Sequence, residues 1–519
     1  MTPNRRIFLN IAATYGRSLY ALVLGLFTAR WALMALGQVD FGLMGTVGGL
    51  VAFISFFNGL IATAVARFYA VSIGKASVPE TAQDGLDDCR KWFSTAVLVH
   101  TVVPTALMLV GYPIGIWCVK SFLTIPADRV ADCVWVFRFV CITCLLSMVS
   151  VPVNAMYQAK QYIAELTVYS FATTSLNALF LYYMVTHPGV WLARYAFWTC
   201  CLAVIPQLII FARGFALFRE CRLIPGECLS LKRICKMLYF VGWWAIGQGG
   251  GLLRSQGIQM LVNKYFGPKA NAAMSVATGV NSHTMTLSGA MTGAFQPAIV
   301  SAYGAGDVER MQSLAYRACK FAMLFVLVFS VPLGLELREI LRVWLVNPPT
   351  ASYGLCLVML VMTVIDQSSV GHMLAVNARG RIAKYQSLLG GALVMTLPIA
   401  WLFCAMGCNV HYVGFSMLAT MAFCAWGRVW FARNLVNMSV RHWLMKIVAP
   451  VFVLAVASVS AGFAPRLLMG DGLPRIFATS AVCEVVLLVG AWKLVLDRSE
   501  REYIQCRFMR IVKRGVGDA

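Results

Sequence analysis

The stretch from Trp243 to Gln259 holds one arginine, three glutamines and five glycines inside an otherwise apolar run. Arg254 is the group there with chemistry to offer. An arginine at mid-bilayer depth costs about 2.5–3.5 kcal/mol on insertion scales, so it normally faces a protein interior or a hydrated cavity. Its guanidinium stays charged and can hold two oxygens of a carboxylate or phosphate at once. The surrounding glycines weaken the helix and let another backbone or a ligand come close. The combination describes an anion-binding group within a membrane.

Other polar residues lie in similarly apolar surroundings. Arg17 comes eleven residues after Arg6, which at about 1.5 Å per residue places it near the bilayer middle. Asn281, Thr284 and Ser288 fall at i, i+3 and i+7, one stripe of a helix. Such a stripe either faces a hydrated cavity and binds ligand hydroxyls, or joins neighbouring helices. His283, beside it, titrates near neutral pH when unperturbed, although a lone histidine is more often structural. Asp366, with Gln367, Ser368 and Ser369 beside it, reads as the acid deepest in an apolar run. It is a candidate to couple transport to Na⁺ or a proton, or to serve as counter-ion to an arginine. The pairing reading is favoured, and Arg17 has Asp366 or a backbone carbonyl as its structural alternative. Trp243-Trp244 reads as packing or an interfacial belt. Cys141 and Cys144 are spaced as a CxxC without a second pair or nearby histidines, so no metal or cofactor site is read.

The elements that position these groups follow from composition. The chain has 519 residues, 60% hydrophobic and 12% charged, with mean hydropathy +0.74. A soluble globular protein carries about 25% charged residues. Apolar runs of about 20 residues recur throughout, the pattern of a polytopic helical membrane protein. Fourteen spans are expected, at about 8–33, 43–66, 93–117, 133–157, 165–186, 193–217, 237–263, 272–300, 319–338, 354–376, 385–406, 412–432, 444–464 and 475–496. The first is too long for a signal-peptide core and lacks a small-residue cleavage site.

The net charge of +22 invites a nucleic-acid reading, but its distribution opposes one. With the N-terminus in the cytoplasm, cytoplasmic segments hold 27 of the 43 Lys and Arg, opposite segments 9, and the spans 7. That asymmetry is the positive-inside bias, so the basicity reports topology and both termini are expected in the cytoplasm.

An internal repeat organises the spans. Leu36-Gly37 and Phe266-Gly267 lie 230 residues apart, as do Met44 and Met274, and Gly74 and Gly304. Lys91-Trp92 and Lys320-Phe321 follow at 229, and Ala159-Lys160 and Ala378-Arg379 at 219. The expected fold is therefore all-α, with two related six-helix lobes and two appended C-terminal helices. The boundaries are 1–218, a basic cytoplasmic linker at 219–236, 237–432, and 433–519 with helices 13 and 14 and a basic tail. Six spans is an even number, so the lobes share one orientation as a parallel repeat, with the substrate expected between them.

The basic N-terminus, Tyr15-Gly16-Arg17, the motif Leu36-Gly37-x-x-Asp40-Phe41-Gly42-Leu43, and the Gly74 and Gly304 loops together resemble bacterial O-antigen and polysaccharide flippases. These belong to the multidrug/oligosaccharidyl-lipid/polysaccharide exporter superfamily. The resemblance implies a V-shaped pair of lobes that open alternately to each side and carry a glycan on undecaprenyl diphosphate. In lipid II flippases, arginines of the corresponding helices line the central cavity, which by helix and depth points to Arg17 and Arg254. The resemblance further implies the bacterial inner membrane, polysaccharide or lipopolysaccharide biosynthesis, and lipid and the polymerase or ligase machinery as partners.

The alternative is a drug or cation antiporter of the same fold. A cationic drug calls for carboxylates, and spans 1, 2, 7 and 8 contain none while two of them carry arginine. A membrane-embedded glycan polymerase or ligase is less favoured, because no large outer loop or cluster of His, Asp and Glu is present. The chain is thus expected to be a transporter and not an enzyme.

Overall fold

The computed structural model describes residues 3–505 apart from 53, 54, 57, 58, 60, 63, 64, 66, 67, 70, 71, 74, 75, 77–79, 81, 161, 346, 380–382, 499, 503 and 504. Among helical residues, the side chains of 3–19, 22, 82, 163, 164, 225, 228, 238–241, 243–248, 286, 287, 289–294, 297, 301 and 304 are likewise outside the description. The readings of the Arg17, Trp243 and Trp244 side chains and of the Gly74 loop therefore lie outside the described residues.

The protein is all-α, with no strand among the described residues. The helices are α1 (Pro3–Gly49), α2 (Ala82–Trp117), α3 (Val130–Val149), α4 (Val151–Ala159), α5 (Ile163–Thr186), α6 (Leu192–Leu217), α7 (Leu231–Gly304) and α8 (Val308–Leu335). They continue with α9 (Leu337–Leu345), α10 (Ser352–Ser368), α11 (Val370–Arg379), α12 (Ala383–Val394), α13 (Thr396–Ala405), α14 (Val410–Val436), α15 (Ala449–Leu468) and α16 (Leu473–Gly490). Among the described residues, 8 helical segments are long and apolar enough to cross a membrane, or 9 with α10 and α11 as one bent span. This is a multi-pass membrane architecture.

The repeated glycines are structural. Helix α1 kinks at Gly37 (φ 73°, ψ 174°) and α7 kinks at Gly267 (φ 79°, ψ 179°). That backbone region is open essentially to glycine alone, because a Cβ would collide with the adjoining peptide. Two glycines 230 residues apart thus make the same turn. The segments after them pack together: a methyl at Gly42 would overlap the Pro268 carbonyl and lie 3.1 Å from the amide nitrogen of Ala272, its counterpart in the repeat. Asn271, fully buried, donates to the Gly42 carbonyl at 2.9 Å and also to the Thr46 hydroxyl.

The chain divides into two compact units. Unit 1 comprises Met1–Ser275, Trp344–Ser352 and Gln386–Val413, and unit 2 comprises Val276–Val343, Tyr353–Tyr385 and Gly414–Ala519. In unit 1, Leu43 and Val47 pack with Phe137, Cys141 and Met148, while Tyr69, Phe93, Tyr157 and Met237 form a second apolar cluster. Trp344 Nε1 donates to the Leu26 carbonyl at 2.6 Å, fastening the start of the 344–352 segment to α1. Cys141 and Cys144 are free and buried, packed as small hydrophobes.

In unit 2, Cys319, Met323, Leu327 and Val331 of α8 pack against Val451 and Leu454 of α15 and Cys483 and Leu487 of α16. Small residues let α15 and α16 approach: Ser458 Oγ donates to the Cys483 carbonyl at 3.1 Å, and Gly462 abuts Cys483 Sγ. Glu336, at the end of α8, anchors this pair by accepting from Arg475 Nη2 at 2.8 Å and from Thr479 at 2.9 Å.

Candidate functional site

Within unit 1, the Arg254 stretch is a zone of close packing. A methyl at Gly250 would overlap the Gly390 carbonyl oxygen, one at Gly257 would overlap Leu397, and Gly49 abuts the Gln256 amide. The glycines of this stretch therefore admit the backbone of α12 and the side chains of α13. Gly251, by contrast, has nothing within 4 Å of a built Cβ. Arg254 itself is half-buried in the same helix.

Within unit 2, a buried polar chain crosses three helices. Ser288 Oγ (α7) donates to Gln367 Oε1 (α10) at 2.7 Å, and Gln367 Nε2 donates to Asp366 Oδ2 at 2.9 Å. Arg428 Nη1 (α14) then donates to Asp366 Oδ1 at 2.8 Å. Ser288, Gln367 and Asp366 are all buried. About two turns before Ser288 on α7, the Thr363 hydroxyl donates to Asn281 Oδ1 at 2.6 Å, with the Met359 carbonyl at 2.9 Å as its other acceptor. Thr284, also buried, donates to its own helix at the Val280 carbonyl, 3.0 Å away. The stripe of polar residues in α7 thus has its hydrogen bonds within unit 2, two of them to α10. His283 is half-buried and makes no hydrogen bond among the described residues.

Asp366 sits where a span breaks. Helices α10 and α11 meet at 44° around Ser369. Ser368 Oγ donates back to the Ile365 carbonyl and Ser369 Oγ to the Asp366 carbonyl, side-chain bonds that compete with the helix ladder and bend it. A carbonyl freed within a membrane needs another donor. Arg428 supplies one to Asp366 O at 3.2 Å, and Trp443 Nε1 supplies one to Ser368 O at 2.8 Å. Arg428 therefore neutralises the acid and caps the break together. Its pairing with Asp366 follows from tertiary contact, although both residues lie in the inner half of spans expected to run in the same direction.

One intramembrane acid had not been singled out in the sequence. Glu484 lies near the centre of the apolar segment Leu473–Val495, on the exposed side of α16.

Comparisons with known proteins place this geometry in context. The MatE family matches residues 253–374, which begin beside Arg254 and end beyond the break at Ser369. The uncharacterized membrane protein EpsK of Bacillus subtilis (strain 168) is 22% identical over 343 residues. That match covers 64% of this chain and 64% of the relative, so it spans just under two thirds of the relative's length. Among solved structures, the chain is similar to the lipid II flippase MurJ in an inward closed conformation, with TM-score 0.64 at 9% identity, covering 93% of this chain and 98% of that one. It is also similar to a multidrug resistance MATE family transporter of the MOP superfamily in an inward-facing conformation, with TM-score 0.62 at 14% identity, covering 81% and 94%. At these identities the likeness is one of fold.

Proposed function

We propose that this chain is a flippase that moves a glycan linked to undecaprenyl diphosphate across the bacterial inner membrane by alternating access of its two six-helix lobes, for polysaccharide biosynthesis. The observation that carries the reading is the placement of Arg254, and the engagement of Asp366 supports it. Arg254 is a permanent cation in a glycine-rich, apolar stretch, half-buried and suited to a diphosphate. Asp366, the acid that a cationic substrate would want, is engaged by Arg428 and Gln367. Likeness of fold to a lipid II flippase over 93% of the chain supports the same reading.

In this reading Arg254, with Arg17 of α1, holds the diphosphate during passage, and the polyprenyl tail stays in lipid. Asn281, Thr284 and Ser288 act chiefly within unit 2, since their hydrogen bonds are made there. A multidrug antiporter is the second reading, favoured by the comparable TM-score of 0.62 to a MATE transporter.

The test is transport by the full chain in proteoliposomes, using a fluorescent oligosaccharide on polyprenyl diphosphate and, separately, a lipophilic cationic dye. The expected result is glycan-lipid transport that falls at least about tenfold in Arg254→Ala, the loss of one charge-assisted phosphate contact, and is partly kept in Arg254→Lys. Efflux of the dye with no movement of the glycan lipid would establish the antiporter instead.

A further inference from the structure

We infer that the exposed face of α16 is an interface for a second membrane protein, one whose transmembrane helix carries a lysine or arginine at mid-bilayer depth. The inference rests on Glu484. This residue is eleven positions beyond Leu473 and eleven before Val495, the ends of the 23-residue apolar segment, so it lies about 16 Å from each. It is exposed, and among the described residues it makes no hydrogen bond or ion pair. Burial on α16 follows Arg475, Thr479, Cys483 and Leu487, which face α15 and α8. The exposed side carries Phe477, Ala481, Val485 and Leu488 around the carboxylate.

Other charges in the apolar elements of unit 2 are handled differently. Asp366 is paired with Arg428, and Glu336 with Arg475. An unpaired carboxylate facing hydrocarbon is costly, and intramembrane ionisable groups otherwise pair or face the bundle interior. Glu484 obtains such a setting when another helix covers this face. Ala481, one turn away, leaves room for its backbone to approach.

Charge complementarity selects the occupant. A second copy meeting this face through its own α16 would set Glu484 beside Glu484, since two copies inserted the same way share their depths. The nearest basic residue further along the segment, Lys493, is nine residues away, about 13.5 Å deeper toward the membrane surface. The face therefore fits a different protein that brings a cation to the depth of Glu484.

The test uses the full chain in nanodiscs with a photoreactive amino acid in place of Leu488. Synthetic leucine-rich transmembrane helices are added, carrying a single central arginine, leucine or glutamate. The arginine helix should crosslink roughly tenfold more than the leucine helix, the size of an interhelical polar contact, and the glutamate helix least. The preference for arginine should vanish in Glu484→Leu and shrink in Glu484→Gln, both substitutions at an exposed position that leave the packed face of α16 intact. Equal crosslinking of the arginine and leucine helices would overturn the inference. So would crosslinking of the chain to its own copy that Glu484→Leu abolishes, which would identify a self-association face.

Discussion

Arg428 reaches Asp366 at 2.8 Å across the interior of unit 2, with side chains only 14% and 10% exposed. The same guanidinium nitrogen lies 3.2 Å from the Asp366 carbonyl and 3.3 Å from Ser369 Oγ. Removing one member leaves a buried charge without its partner, which costs about 3–5 kcal/mol, whereas replacing both by apolar residues is often nearly neutral. Asp366→Leu or Arg428→Met alone should therefore lower the melting temperature of the purified protein sharply, and the double variant should recover most of it. Additive losses in the double variant would contradict the pairing.

If Asp366 serves as the counter-ion to Arg428, transport by Asp366→Asn should keep the gradient dependence of the parent protein, at reduced yield of folded chain. Comparing transport with and without an imposed Na⁺ or proton gradient decides the matter. Loss of gradient dependence in a well-folded variant would make Asp366 a coupling residue.

Two adjacent glycines of α7 should respond in opposite directions. A methyl at Gly250 would overlap the Gly390 carbonyl, and overpacking of this kind costs about 1–3 kcal/mol. Gly251 has open space around a built Cβ, so Gly251→Ala should be neutral or stabilising by up to about 1 kcal/mol through helix propensity. Thermal unfolding in detergent reads both, and equal behaviour of the two variants would discount the Gly250–Gly390 contact.

The kinks at Gly37 and Gly267 demand a backbone conformation that alanine resists at about 1–3 kcal/mol per site. Neither position has an atom within 4 Å of a built Cβ, so any loss in Gly37→Ala or Gly267→Ala isolates backbone strain from crowding. Both should melt lower than the parent protein by similar amounts. A variant that melts like the parent would show that its kink relaxes without cost.

Beyond the last span, buried Lys320 holds Asp497 at 2.8 Å and Glu500 at 2.9 Å. The hydrogen bond from Lys320 keeps the Asp497 carboxyl below its ordinary value of 3.8. A carboxyl lowered on folding contributes stability that is full above the ordinary value and lost as pH falls through the depressed one. The contribution is modest, since the Asp497 side chain is 70% exposed. Protease cleavage of the 497–502 segment should thus rise in Lys320→Met at neutral pH, and in the parent protein only under strong acid. Unchanged protection in Lys320→Met would mean that other contacts hold the segment.

Helical class and many spans were legible from hydropathy, because a helix in lipid satisfies its backbone internally and leaves its apolar residues in plain view along the chain. The 230-residue repeat is legible too, and it pairs Gly37 with Gly267, although the turn they share belongs to the backbone geometry. Partner choice was not. Asp366 and Arg428 are 62 residues apart, and local periodicity says which face a residue occupies but not which helix lies opposite. Depth along a span likewise gives the same reading for a charge facing protein and one facing lipid. By depth alone Asp366 and Glu484 are equivalent acids, and what separates them is packing: α14 against α10 encloses the first, while α16 packs through Thr479 and Cys483 and leaves the second exposed.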